Sequence, residues 1–406
     1  MRGSLSCPLR CGDGGSAAGR RAVKALRGLG VAALLLVLAH AVWSRSGRSV
    51  PEGPPDPGLE VALAWRDEGA GNLLAVQPYM VPADYASQER FQAKLDAYLA
   101  AAASRGLLNE KTVAVFPEYL GTWLAALGEK ASVYRSGSVH AALRLVAFTH
   151  PLAFARALLT SGERDRAKAA LFRMKAATMA GAYQDAFARL AARWRITIVA
   201  GSIVLPSPRV EAGRLVAGDG SLENVSAIFR PDGGVEDALV RKAYPIEEEK
   251  AFLVACPLSG LPVFATPAGR LGVLICADSW YPEAYRLLRA KKIDLLVVPS
   301  YAADDDCWNR PWRGYDGAPA PSDVDPADVG RLTEGGAWSR YALAGRFASS
   351  GARAGVNVFL RGELWDLGDD GRSVLVSAEG EAKATEGSRR DGPAILNQWV
   401  PARPRP

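Results

Sequence analysis

Gly269 to Glu283 reads GRLGVLICADSWYPE, and these residues decide the fold. Leu271 to Ile275 is an apolar, partly β-branched run of the kind that forms a buried strand, and Pro282-Glu283 opens a helix shortly after it. Cys276 therefore falls at a strand-to-helix elbow. Such an elbow holds a side chain at the edge of a sheet, where backbone N–H groups can bind a developing oxyanion. A free cysteine is also among the most buried and inert of residue types, so a chemical role needs partners elsewhere in the chain.

Outward from this stretch, Pro262 to Cys276 reads as a hairpin turning near Ala268-Gly269, and Asp294 to Tyr301 is a further buried strand. Upstream, Asn72 to Met80 is a strand, residues 83–105 have helical composition, and Thr112 to Glu118 (TVAVFPE) is a second buried strand ending on a carboxylate. Strand, helix, strand at this spacing gives an α/β layer. Ile196 to Pro206 reads as one strand, and Asn224 to Gly234 as a strand running into a turn. A helix over 333–355 and strands at 356–360, 373–378 and 395–400 complete the pattern. Residues 303–330, with Asp304-Asp305-Asp306 and several prolines, form a long irregular loop, a feature more often functional than idle.

Between 121 and 195 the pattern is helical: Val139 to Leu159 is broadly apolar with a break at Pro151, and residues 163–195 are more amphipathic. The plainer expectation is packing on the sheet. The alternative is an apolar lid or a membrane-contacting hairpin.

The formal net charge of +6 is misleading, because residues 1–50 hold eight Arg and Lys against one Asp, a surplus of seven that leaves the rest near neutral. A nucleic-acid partner is therefore not expected. Gly28 to Trp43 is uncharged, follows Arg20, Arg21, Lys24 and Arg27, and is short for a membrane span but long enough for a signal-peptide core. As anchor or as leader, residues 1–45 put the rest of the chain on the periplasmic or extracellular side. Residues 46–58, rich in Pro and Gly, read as a linker, and residues 59–406 as the folded domain. The five cysteines, Cys7, Cys11, Cys256, Cys276 and Cys307, show no metal-ligand repeat; neither metal nor cofactor is expected.

Three positions combine into a chemistry: Glu118 in FPEY, Lys242 in RKAYP and Cys276 in ICADSW. A thiol attacking a carbonyl or nitrile carbon needs a base for its proton, a cation or N–H donors for the oxyanion, and an acid for the departing nitrogen. Glu118 can serve as base and acid. Lys242 and the N–H of Ala277 can hold the oxyanion. The order and context of these pieces, with AGS, PDGG and VPS beside them, resemble the nitrilase superfamily of carbon–nitrogen hydrolases over roughly 72–400.

That resemblance implies an α-β-β-α sandwich, a Glu118-Lys242-Cys276 triad, and a second glutamate within Glu247-Glu248-Glu249, assigned to Glu248 by aligning Pro245. It also implies a small amide, nitrile or acyl substrate and a homodimer paired through a sheet-flanking face. Tyr119, Ala277 and Trp280 are expected at the substrate pocket. Ala277 stands where the family commonly has tyrosine and Trp280 near a frequent basic position, departures that bear on substrate. The apolar insertion and outward-facing N-terminus are distantly like the apolipoprotein N-acyltransferase branch. Three functions follow: hydrolysis of an amide or nitrile, acyl transfer from Cys276 to an amine, and a catalytically silent binding domain.

Overall fold

The computed structural model describes residues 17–50, 52–385 and 392–402, and for residues 17–20 the backbone alone. Cys7 and Cys11 lie outside them. The chain divides into two compact units, Met1–Arg48 and Ser49–Pro406.

The first unit contains helix α1 (Ala17–Arg45). Within it, Arg21–Arg45 is long and apolar enough to cross a membrane, a criterion that a signal sequence also meets. The helix runs past both ends of the uncharged stretch, which is why it is longer than the apolar run alone suggests.

In the second unit two six-stranded sheets lie face to face. The first has the order Glu60–Ala64, Ala394–Trp399, Asn72–Gln77, Thr112–Val115, Thr197–Val199 and Ile228–Phe229. The second has the order Val263–Thr266, Gly269–Val273, Leu295–Ser300, Ala354–Phe359, Val374–Ser377 and Ala382–Ala384. Alternation along the strands separates two cores. Leu73, Ala75, Val113, Val115 and Val199 meet Leu271, Val273, Leu295, Val297 and Val356 between the sheets. Leu74, Val76, Ala114 and Ile198 point the other way, onto α2 (Gln88–Ala103) and the helix Arg166–Trp194 through Phe91, Leu95, Phe187 and Leu190. Gly272 of the second sheet faces Leu288 of the helix Pro282–Ala290. The layers are therefore α-β-β-α, as expected.

Three readings change. The run from Ile196 to Pro206 is two strands: Thr197–Val199 joins the first sheet, and Ile203–Pro206 joins a small sheet with Leu222–Ser226 and Val240–Arg241. At the break Gly201 has φ of 70°, and a Cβ there would stand 2.1 Å from the Pro117 carbonyl oxygen, so only glycine fits. The helix expected over 333–355 stops earlier, as the helices Glu334–Tyr341 and Leu343–Arg346 followed by one further turn. Finally, the Pro/Gly stretch is docked at Val50 and at Asp56: the Val50 carbonyl accepts from Arg90 at 2.7 Å, and Asp56 accepts from Tyr98 Oη at 2.5 Å and from Lys94.

The insertion is helical, with α3 (Val139–Thr149), α4 (Pro151–Thr160) and α5 (Arg166–Trp194). Proline at the first position of α4 breaks the run as expected. Its α5 packs on the first sheet, while α3 and α4 are bent by 105° at their junction.

Candidate active site

Glu118 lies just past Thr112–Val115, carried inward by the Phe116 N–H bond to the Val199 carbonyl at 2.9 Å. The side chain is 1% exposed. Tyr119 follows with φ of 61°, a left-handed conformation that a bulky residue rarely adopts, held by its N–H on Ser202 Oγ at 2.8 Å.

Lys242 follows Val240–Arg241 of the small sheet, and its N–H donates to the Asn224 carbonyl at 3.0 Å. That places its buried ammonium between two carboxylates: Nζ donates to Glu118 Oε1 at 2.8 Å and to Glu249 Oε1 at 2.7 Å. Asn224 Nδ2 adds a bond to the same Glu118 oxygen at 2.8 Å. Glu249 is further held by Tyr119 Oη and by the Ile246 N–H at 2.8 Å.

Cys276 sits on the elbow between strand Gly269–Val273 and helix Pro282–Ala290, with φ of 48° and 7% exposure. Its Sγ faces the Tyr301 carbonyl at 3.7 Å. Two residues on, the buried Asp278 ties the elbow to the lysine segment. Its Oδ1 accepts from the N–H groups of Ala243 at 2.9 Å and Tyr244 at 2.8 Å, and its Oδ2 from Ile275 at 3.3 Å.

The charges are set by dryness and proximity. Burial raises the Glu118 carboxyl above its usual range, against the pull of the Lys242 ammonium. Burial works to discharge Lys242, but Glu118 and Glu249 outweigh it and hold the ammonium well above its ordinary value. Burial and then the Glu118 charge push the Cys276 thiol well above its usual value, with Lys242 opposing them. The resting thiol is therefore neutral, because a thiolate would be a third anion against one cation in a dry site. Asp278 is raised by burial to about 7.

Of the residues singled out from sequence, Glu118 and Lys242 are in direct contact, and their charges reach the thiol of Cys276. Tyr119 borders the site, its ring 5.9 Å from Lys242 Nζ. Ala277 is partly exposed beside the thiol. Trp280 packs among Trp312, Tyr315 and Trp338, and Tyr315 Oη donates to its carbonyl at 2.8 Å.

Glu248 requires correction. Its side chain is 81% exposed and faces Lys168 at 3.8 Å, whereas Glu249 is turned inward onto Lys242. The return of Glu249 onto the Ile246 N–H, three residues back, sets which glutamate points in. Asn224 and Asp278 were also missed as contributors. Among the described residues no group of three or more His, Cys, Asp or Glu could hold a metal ion.

A family model described as carbon–nitrogen hydrolase matches residues 75–316. N-carbamoylputrescine amidases of Solanum tuberosum and Solanum lycopersicum are each 33% identical over 108 residues, covering 23% of this chain and 35% of those proteins. The chain thus matches about a third of the length of these curated relatives. A solved amidase from Nesterenkonia sp. aligns with 81% of this chain and 89% of its own, at 17% identity and a TM-score of 0.47.

Proposed function

This chain belongs to the carbon–nitrogen hydrolase family, and from that premise we propose that it cleaves a small non-peptide amide or nitrile through a thioester on Cys276. For an amide, Glu118 takes the thiol proton as Sγ bonds the carbonyl carbon, so the nucleophile is charged only during attack. Two of the three Lys242 N–H groups are spent on Glu118 and Glu249, and the third, with the Ala277 N–H, receives the carbonyl oxygen as it becomes an oxyanion. When the tetrahedral adduct collapses, Glu118 returns the proton to the nitrogen and ammonia or an amine departs. Water, deprotonated by Glu118, then attacks the thioester. The carboxylic acid leaves and Sγ regains its proton. Glu249 keeps Lys242 charged and aimed throughout.

The observation that carries this reading is the Lys242 ammonium clamped between two buried carboxylates within reach of a thiol on an elbow. As anchor or leader, α1 would place the catalytic unit on the exported side, with the basic residues from Arg20 to Arg27 retained in the cytoplasm. The test is to supply short aliphatic amides and nitriles, measure ammonia release, and look by intact mass for an acyl adduct on the protein. Turnover and adduct should both vanish in Cys276→Ala. Ammonia release that survives this substitution would refute the assignment. An N-acylated product dominating when a primary amine is added would assign transfer in place of hydrolysis.

A further inference from the structure

The helix pair α3–α4 carries an exposed apolar edge. Among the described residues outside α1, six large apolar side chains are exposed, and three of them, Phe148, Leu152 and Leu159, fall on this pair. Leu152 is 86% and Leu159 83% exposed. The pair is held from inside: Val139, Ala142, Val146 and Ala157 are buried, and His150 Nε2 and Lys175 Nζ converge on Glu129 at 2.8 and 2.6 Å. The bent geometry is thus anchored while its apolar edge faces outward.

Charge selects what covers that edge. From Ala131 to Gly162 there is no Asp or Glu, whereas Arg135, Arg144 and Arg156 all lie exposed. A second copy laid face to face would set arginine against arginine without an acidic partner. A bilayer with anionic headgroups answers both features, since acyl chains take the leucines and phenylalanine while the arginines stay at phosphate level. The same chain carries a helix long and apolar enough to span a membrane.

We propose that α3–α4 is a membrane-seating element that inserts its bend into the interface of an anionic bilayer. Its exit leads to the catalytic loop. Five residues past α4 the Asp165 N–H bonds the Ala251 carbonyl at 2.8 Å, and Lys168 lies 4.7 Å over the Phe252 ring, both close to Glu249 in sequence.

The experiment is photolabelling of the full chain in phosphatidylcholine vesicles carrying a diazirine lipid, with and without phosphatidylglycerol, followed by peptide mapping. Peptides covering 144–163 should be labelled as well as those of α1, with a severalfold rise at 144–163 when phosphatidylglycerol is present. The double variant Leu152→Gln/Leu159→Gln should lose the 144–163 label while keeping α1 labelling and its thermal unfolding midpoint. Labelling of 144–163 no stronger than that of the two-stranded hairpin Arg209–Glu211 and Arg214–Val216, both of whose arginines are exposed, would overturn the proposal. So would protection of 144–163 that grows with the protein-to-lipid ratio, which would mark a second copy as the occupant.

Discussion

Glu248 and Glu249 are adjacent in sequence and opposite in environment, which makes them a direct test of the site. Glu249→Gln removes one of two anions holding the Lys242 ammonium, and kcat should fall by about 10² or more, whereas Glu248→Gln, whose side chain points outward, should stay within about twofold. Steady-state kinetics on the two variants check this, and equal losses would remove Glu249 from its assigned place. Glu118 must be ionised to act as base, and burial raises its pKa, so kcat/KM should climb through an acid limb displaced upward from the ordinary carboxylate range. Asp278 gives a separate pH signature. With its pKa raised from 3.8 to about 7, the folded state holds a proton that the unfolded chain has released, so stability falls as pH rises between those values and is level above them. Denaturant titrations across that window should show the slope, and Asp278→Asn should flatten it.

At the scale of elements, the attachment of α3–α4 rests on Glu129, buried at 1% exposure with Lys175 and His150 on one oxygen. Glu129→Ala leaves the nearly buried Lys175 ammonium without its anion, at a cost of about 3–5 kcal/mol. Chemical denaturation should report that loss, and hydrogen exchange should rise first in residues 139–160. The Ala200-Gly201-Ser202 break is equally local. Gly201→Ala forces a side chain into the Pro117 carbonyl at a positive φ, and a loss of about 2–4 kcal/mol is expected together with reduced kcat, because Pro117 precedes Glu118.

For the whole molecule, the unit boundary at Ser49 makes a prediction about truncation. A chain beginning at residue 49 should be soluble and more stable than one beginning at residue 59, by about 1–3 kcal/mol. The longer version keeps the Val50 bond to Arg90 and the Asp56 bonds to Tyr98 and Lys94. Equal unfolding midpoints would mean that the Pro/Gly stretch adds nothing. The docking also shows the limit of composition: proline and glycine mark a segment without regular structure, not one without contacts. The sequence by itself determined an α/β layer and the hairpin leading to Cys276, and the family resemblance of its motifs implied the α-β-β-α layering and Glu118 and Lys242 as residues of one site. Those properties follow from local apolar runs and from short motifs whose order carries meaning. Only the tertiary structure decided that 196–206 serves two sheets, that Glu60–Ala64 pairs with Ala394–Trp399, and that Glu249 rather than Glu248 faces Lys242. Strand partners lie hundreds of residues apart, and the inward turn of one glutamate among three depends on a backbone N–H that composition does not locate.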